Sequence, residues 1–414
     1  MSQTILYIII VIVVAEFILE RTLDYLNQKK RSKTLPKSLK GIYEEEKYRK
    51  SQNYAEAKDK IGFISSFLSF IVTILMLLGG FAFVDSWVNE LTENEIYKTL
   101  IFFGVIGIGS DLISTPFSLY NTFVIEEKFG FNKMTLGTFF SDKIKGYVLG
   151  AIVGGGLLAI FVWFYQAFPD TFWIYAWAIF MVFSLSITMF YTNLIVPLFN
   201  KLTPLEDGEL RSAIEEYSKG VNFPLKNIMV VDGSKRSTKA NAYFSGLGGA
   251  KNIVLYDTLI EKHNTEELVS VLAHEVGHYK KKHTLQGLFI SSFTMLLTLY
   301  ILSLVISNPI LSSALGASEP SLHMGLIAFS ILYSPLSTIT GLLMNVFSRK
   351  NEYEADEYAA KTSSGEALKD SLKKLSVDSL SNLTPHEAYV FFYYSHPPLL
   401  KRLGALEKHI PAVS

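Results

Sequence analysis

The sequence predicts a mostly α-helical membrane protein, a bundle of seven transmembrane helices carrying a small α+β domain. Three observations predict it. Seven stretches are apolar over about the length a bilayer core requires, roughly 20 residues per helix. Basic residues gather in alternate connections between those stretches. After the fifth stretch the composition turns soluble, and a helix there carries the pattern H-E-x-x-H.

The predicted spans are Leu6–Leu19, Ile61–Phe83, Leu100–Leu119, Tyr147–Phe168, Phe172–Phe199, Leu285–Ile306 and His323–Phe347. The first is short and contains Glu16, but it lacks the basic flank and small-residue cleavage site of a signal peptide. It reads as a retained helix. The third carries Asp111, read here as facing a watery cavity rather than serving chemistry, although an intramembrane carboxylate is a functional candidate by default. Ala151-Ile-Val-Gly-Gly-Gly156 offers small residues for close helix packing. Charge orients the bundle. The long loop over residues 20–60 is rich in Lys and Arg, the second connection is acidic, and the third is basic again. The fourth and sixth connections have no base, whereas both soluble segments are basic. By the positive-inside rule the N-terminus lies outside, with the soluble domain and C-terminus in the cytoplasm.

Composition narrows the function. Of 414 residues, 49% are hydrophobic and the 38 basic residues balance 38 acidic ones. A neutral balance gives nucleic acid no electrostatic footprint. There is no cysteine, so any metal is held by nitrogen and oxygen.

The soluble segment starts near Lys201. Glu206–Lys219 reads as an amphipathic helix and Ile228–Val231 as a strand. Ala240–Phe244 and Ile253–Tyr256 read as a hairpin around the glycine-rich Ser245–Ala250. Asn264 then caps a helix, with Glu267 as capping-box partner. Its apolar face is Leu268, Val271, Leu272 and Val276. That helix bears Val271-Leu-Ala-His274-Glu275-Val-Gly-His278-Tyr279 and is expected to run past Lys282 into the sixth span. His274 and His278, at i and i+4, share a face and can present two imidazoles to one metal ion. Glu275 is placed to take a proton from an attacking water, as in zinc hydrolases. Gly277 costs roughly 1 kcal/mol against Ala within a helix, which implies a packing reason. The bland alternative is a solvated helix that happens to carry these residues.

Zinc requires a third protein ligand. Lys281 and Thr284 stand where a metzincin would have Gly and His, and His283, off that spacing, reads as solvated. Asn351-Glu352-Tyr-Glu354-Ala-Asp356-Glu357 reads as a helix beginning just after the seventh span. Glu352 and Asp356 share its face, while Glu354 and Glu357 point elsewhere. One carboxylate can bind metal while the other orients a ligand histidine, and spacing favours Glu352 only modestly. Pro397 and Pro398 fix the backbone beside His396, which by sequence alone reads as a surface histidine.

With HEVGH, NEYEAD and Ser395-His-Pro-Pro-Leu399 in hand, the chain resembles the integral-membrane zinc metalloproteases of the CAAX prenyl protease 1 type. Asn241-Ala-Tyr-Phe-Ser-Gly246 matches the family segment before the zinc helix. Leu119–Asn132 with Thr135-Leu-Gly137 matches its cytoplasmic loop. The resemblance implies a gluzincin-like domain, one zinc per chain on His274, His278 and Glu352, Asp356 behind a ligand histidine, and His396 and Arg402 beside the reacting carbonyl. It also implies a bundle that encloses a chamber, in the endoplasmic reticulum or a bacterial inner membrane, and a peptide substrate that is prenylated. Asn241, Ala242 and Tyr243 are expected to pair with that peptide as an added strand. The expected layout is 1–198 for spans one to five and 199–284 for the first protease part. Residues 285–347 form spans six and seven, and 348–414 the second protease part. Two readings compete: a membrane quality-control protease indifferent to prenylation, and a non-catalytic transporter. The span count speaks against the first, and Glu275 has no purpose in the second. His263, His323, His386 and His409 are assigned no role.

Overall fold

The computed structural model describes residues 1–32, 34–246 and 251–410. Residues 247–250 of the glycine-rich turn lie outside that set. Among the described residues, seven helices are long and apolar enough to cross a membrane. They are α1 (Ser2–Lys30), α2 (Glu45–Leu91), α3 (Glu95–Phe129), α4 (Leu136–Ala167) and α5 (Phe172–Leu194), then, after the soluble segment, α8 (His283–Val305) and α9 (Leu322–Thr362). Each contains one of the expected spans or nearly all of it, and most overrun it at both ends. Polar residues extend the helices beyond the apolar core, because backbone hydrogen bonding need not stop where hydrophobicity does.

The bundle is open. Within the most apolar window of each spanning helix, 6–17% of residues are buried, so the helices stand as spread staves rather than around one packed core. Two apolar clusters tie them together. Ile9, Leu77, Phe102 and Met324 join α1, α2, α3 and α9, while Phe161, Phe172, Leu302 and Phe329 join α4, α5, α8 and α9. Asp111 is not left to water: Lys143 of α4 lies 2.6 Å from its carboxylate, and Tyr147 donates to it. His323 is buried at the start of α9, with Nε2 2.7 Å from the buried Asp85 of α2.

The soluble part is a four-stranded sheet, ordered β1-β2-β4-β3, packed on helices. Its strands are β1 (Leu202–Pro204), β2 (Leu225–Val231), β3 (Ala242–Ser245) and β4 (Lys251–Tyr256), with α6 (Glu209–Gly220) between the first two. β2 pairs with β4 in parallel, and β3 pairs with β4 antiparallel, Ala242 opposite Leu255. The expected hairpin is present, and β3 is an edge strand. Helix α7 (Thr265–Lys280) follows, and its Leu268, Leu272 and Val276 join Ile214, Ile228 and Ile253 in one core. After α9 come α10 (Gly365–Asp378), α11 (Glu387–Tyr393) and α12 (Leu399–Leu406).

The loop after the third span welds bundle to sheet. Glu126 accepts from Tyr54 at 2.6 Å and from Lys239 at 3.0 Å. Arg236 forks onto Asp142 at 2.8 and 3.0 Å. Bidentate charge-assisted contacts of this kind fix orientation as well as distance.

Candidate metal centre and active site

The α7 N-terminus forms as its sequence dictates. Asn264 accepts from the Glu267 amide at 2.9 Å, and Glu267 returns the bond to the Asn264 amide at 3.2 Å. The helix then crosses α9 at the closest approach its residues allow. A Cβ added at Gly277 would lie 3.0 Å from Ala355 Cα and 3.1 Å from Ala355 O. Glycine here is the packing residue that brings the two metal-binding helices together.

That contact assembles the expected ligands. His274 Nε2 and His278 Nε2 lie 3.2 Å apart. Glu352 reaches both, with Oε2 3.5 Å from His274 and Oε1 3.3 Å from His278. One ligand atom from each of the three falls within 4.8 Å of the others. Glu352 Oε2 is buried and makes no hydrogen bond. Two imine nitrogens and a buried carboxylate oxygen that makes no hydrogen bond are what a divalent cation would satisfy, so the residues fit a metal.

A second layer orients the ligands. His274 Nδ1 is 2.9 Å from Asp356, which turns Nε2 toward the common point. Arg402 clamps Asp356 through two bonds of 2.8 and 2.6 Å. Burial opposes a charge on His274, but its hydrogen bonds to Asp356 and Glu352 outweigh that and push its pKa up to about 9. Arg402 is therefore engaged on Asp356 and lies 3.5 Å from Glu352, beside the ligands. His396 does reach the centre. It stays exposed, its Nε2 lies 3.2 Å from Glu352 Oε1, and Ser395 Oγ is 2.9 Å from its Nδ1.

His283 is not solvated. It is buried, with Nδ1 3.1 Å from His278 Nδ1 and Nε2 3.3 Å from Glu354. α7 does not continue into α8. Lys282 adopts left-handed backbone angles (φ 58°, ψ 29°), which breaks the helix. The break folds His283 back onto the second histidine, and Glu354 is drawn to it rather than to solvent. α9, by contrast, runs unbroken from the membrane through Glu352 and Asp356. The expected boundary near Ser348 is absent because the seventh span and the ligand helix are one.

A cavity of about 390 Å³ opens beside the centre, lined by Glu275, His278, Tyr243 and Phe244. It thus joins the edge strand to the expected proton acceptor. Asn241 is exposed at the start of β3, where its Oδ1 accepts from the Ala242 amide at 2.9 Å and its carbonyl accepts from the Tyr256 amide.

Seven apolar helices with a His-His-Glu centre beside them define a membrane metallopeptidase. A family model described as CAAX prenyl protease N-terminal, five membrane helices, matches residues 24–201, and one for peptidase family M48 matches residues 204–410. The CAAX prenyl protease 1 homolog of Arabidopsis thaliana is 37% identical over 386 residues, 90% of each chain. The CAAX prenyl protease 1 of Saccharomyces cerevisiae is 34% identical over 424 residues, 95% of this chain and 93% of its own. The crystal structure of S. mikatae Ste24p superposes with a TM-score of 0.92 at 33% identity, covering 97% of this chain and 99% of that one. The chain belongs to peptidase family M48.

Proposed function

We propose that the protein is a zinc endopeptidase that removes a C-terminal tripeptide from prenylated proteins, a reading supported by its relatives, which are named CAAX prenyl protease 1. The observation that carries the reading is the convergence of His274, His278 and the buried Glu352 beside the cavity lined by Glu275, His278 and β3. His274, His278 and Glu352 would hold one zinc. A zinc ion held there would supply Lewis-acid activation of the attacking water and of the scissile carbonyl. Glu275 accepts the proton of the attacking water and returns it to the leaving amine. His396, exposed at the rim, donates to the developing oxyanion. Asp356 fixes the tautomer of His274, and Arg402 acts on Asp356 as a positioning residue.

Asn241, Ala242 and Tyr243 pair with the peptide. The free side of an edge strand offers unpaired N–H and C=O groups to an extended chain. The protease domain is split between 199–284 and 348–414, with 285–347 inserted as spans six and seven, after 1–198. The N-terminus faces outside and the zinc domain the cytoplasm. The charge pattern supports this orientation, and the resemblance to CAAX prenyl proteases supports an endoplasmic reticulum or bacterial inner membrane location.

The test compares a farnesylated CAAX peptide with its unprenylated twin, using purified protein with and without chelator. Chelator-sensitive cleavage that favours the prenylated peptide is expected. Equal cleavage of both would leave the metallopeptidase and remove the prenyl specificity.

A further inference from the structure

The cavity beside Glu275 does not stop at that carboxylate. Thr284 and Gly287 of α8 and Met344 and Phe347 of α9 carry its lining toward the membrane. A second cavity of about 550 Å³ starts at the shared Met344. It continues between the same two helices, past Thr294 and Thr298 on one and Gly341 and Ser337 on the other, with Phe180 of α5 along one side. Positions 284, 287, 291, 294 and 298 step by three and four, so they form a single stripe of α8, and 337, 341 and 344 do the same on α9. The two cavities are one groove. At 1.5 Å per residue its α8 wall runs about 17 Å beyond Gly287.

The groove wall is chemically plain. Among the described residues, no charged one lines the second cavity. Thr298 Oγ1 turns back to the Thr294 carbonyl at 2.9 Å, and Thr340 Oγ1 to the Ser337 carbonyl at 2.9 Å. These two hydroxyls, bonded to their own helix, leave methyl surface to the groove, alongside Phe180, Ile290, Met295, Leu299 and Met344.

We propose that this groove binds the thioether-linked isoprenoid of the substrate, laid from Met344 toward Ser337 while the peptide lies along β3. The inference rests on the prenylated-substrate reading above. Once a tripeptide is removed, the prenylated cysteine is the residue that supplied the scissile carbonyl. Its lipid must therefore leave the site within a few ångströms of Glu275, and there the groove begins. Burial of the chain on an apolar wall is favourable and non-directional, which suits a ligand without polar groups. A bilayer phospholipid entering the same groove would bring its headgroup against Glu275 and His278.

The zinc-loaded full-length protein and its Gly341→Leu variant are compared on one peptide carrying a ten-, fifteen- or twenty-carbon isoprenoid, or none. An added Cβ at Gly341 meets no atom within 4 Å, so the leucine enters the groove without moving backbone. The ratio of kcat/KM for the farnesylated over the unprenylated peptide is expected to fall at least tenfold, mostly through KM, and further for the longest chain. Gly341→Ala should lower it less than twofold. A diazirine-bearing farnesyl peptide bound to Glu275→Gln supplies a readout without turnover, with adducts expected on α8 and α9 between Gly287 and Thr298 and between Ser337 and Met344. Equal losses on all peptides, adducts elsewhere, or adducts abolished by excess phosphatidylcholine overturn the groove assignment. A wild type without preference for prenylated peptide overturns the functional reading. A preserved preference with adducts elsewhere overturns the groove alone.

Discussion

The two halves of α9 are built in opposite ways. Its C-terminal half lies so close to α7 that Gly277 has no room for a Cβ, and Glu352, Ala355, Asp356 and Ala359 are all buried. Its membrane half stands off α8, and neither Gly287 nor Gly341 has an atom within 4 Å of an added Cβ. The same residue type closes one contact and opens the other. The tight half sets ligand atoms to fractions of an ångström, which metal chemistry demands. The open half leaves volume, which a bulky apolar substrate demands.

The comparison breaks first at the chemistry. Glu275→Gln should retain metal and lower kcat by about a thousandfold, within the range for general bases. Glu352→Ala should instead lose metal, read by elemental analysis. Full occupancy in Glu352→Ala would mean that the tight half does not hold the ion.

Next come the residues behind the ligands. Asp356→Asn and His283→Ala should each weaken zinc affinity roughly 10- to 100-fold. Chelator competition measures this, with secondary structure unchanged by circular dichroism. If His283→Ala binds metal as the wild type does, the fold-back at Lys282 is packing alone.

Gly277→Ala should destabilise by about 1–3 kcal/mol, as overpacking does in a closed contact. Gly341→Ala should change stability by less than about 0.5 kcal/mol. Thermal unfolding in one detergent compares them directly, and equal shifts would erase the distinction between the halves.

The tight half also makes metal binding depend on pH. In the metal-free protein His274 keeps its proton to about 9, because Asp356 and Glu352 outweigh the opposing effect of burial. Ligation needs the neutral ring. Zinc affinity should therefore rise about tenfold per pH unit from 7 toward 9 and flatten above, with one proton released per ion at pH 7. The sign is that of a raised pKa: the protonated state favours the metal-free site at low pH and yields as pH rises. Titration calorimetry in buffers of different ionisation enthalpy counts the proton.

Local pattern made much of this legible. The spans follow from hydropathy, the cap of α7 from Asn264 and Glu267, and the pairing of His274 with His278 from helical periodicity. Each is a relation within one element, where geometry is set by 3.6 residues per turn. The packing reason expected of Gly277 was found, although nothing in its own helix names Ala355 as the partner.

What the sequence by itself determined is the class of each helix and the two histidines on one face. Only the tertiary structure decided which residues meet them. Glu352 arrives from across two spanning helices. Arg402 meets Asp356 and Glu352 rather than lining the cavity beside Glu275, because α12 packs against α9 and α10. His283 faces away from His278 on any continuous helix, since five residues carry it roughly 140° around the axis. One left-handed residue, Lys282, reverses that. A sequence period assumes the element continues. Where it breaks, and how close two elements come, depends on contacts between residues far apart in the chain, and no local pattern encodes those.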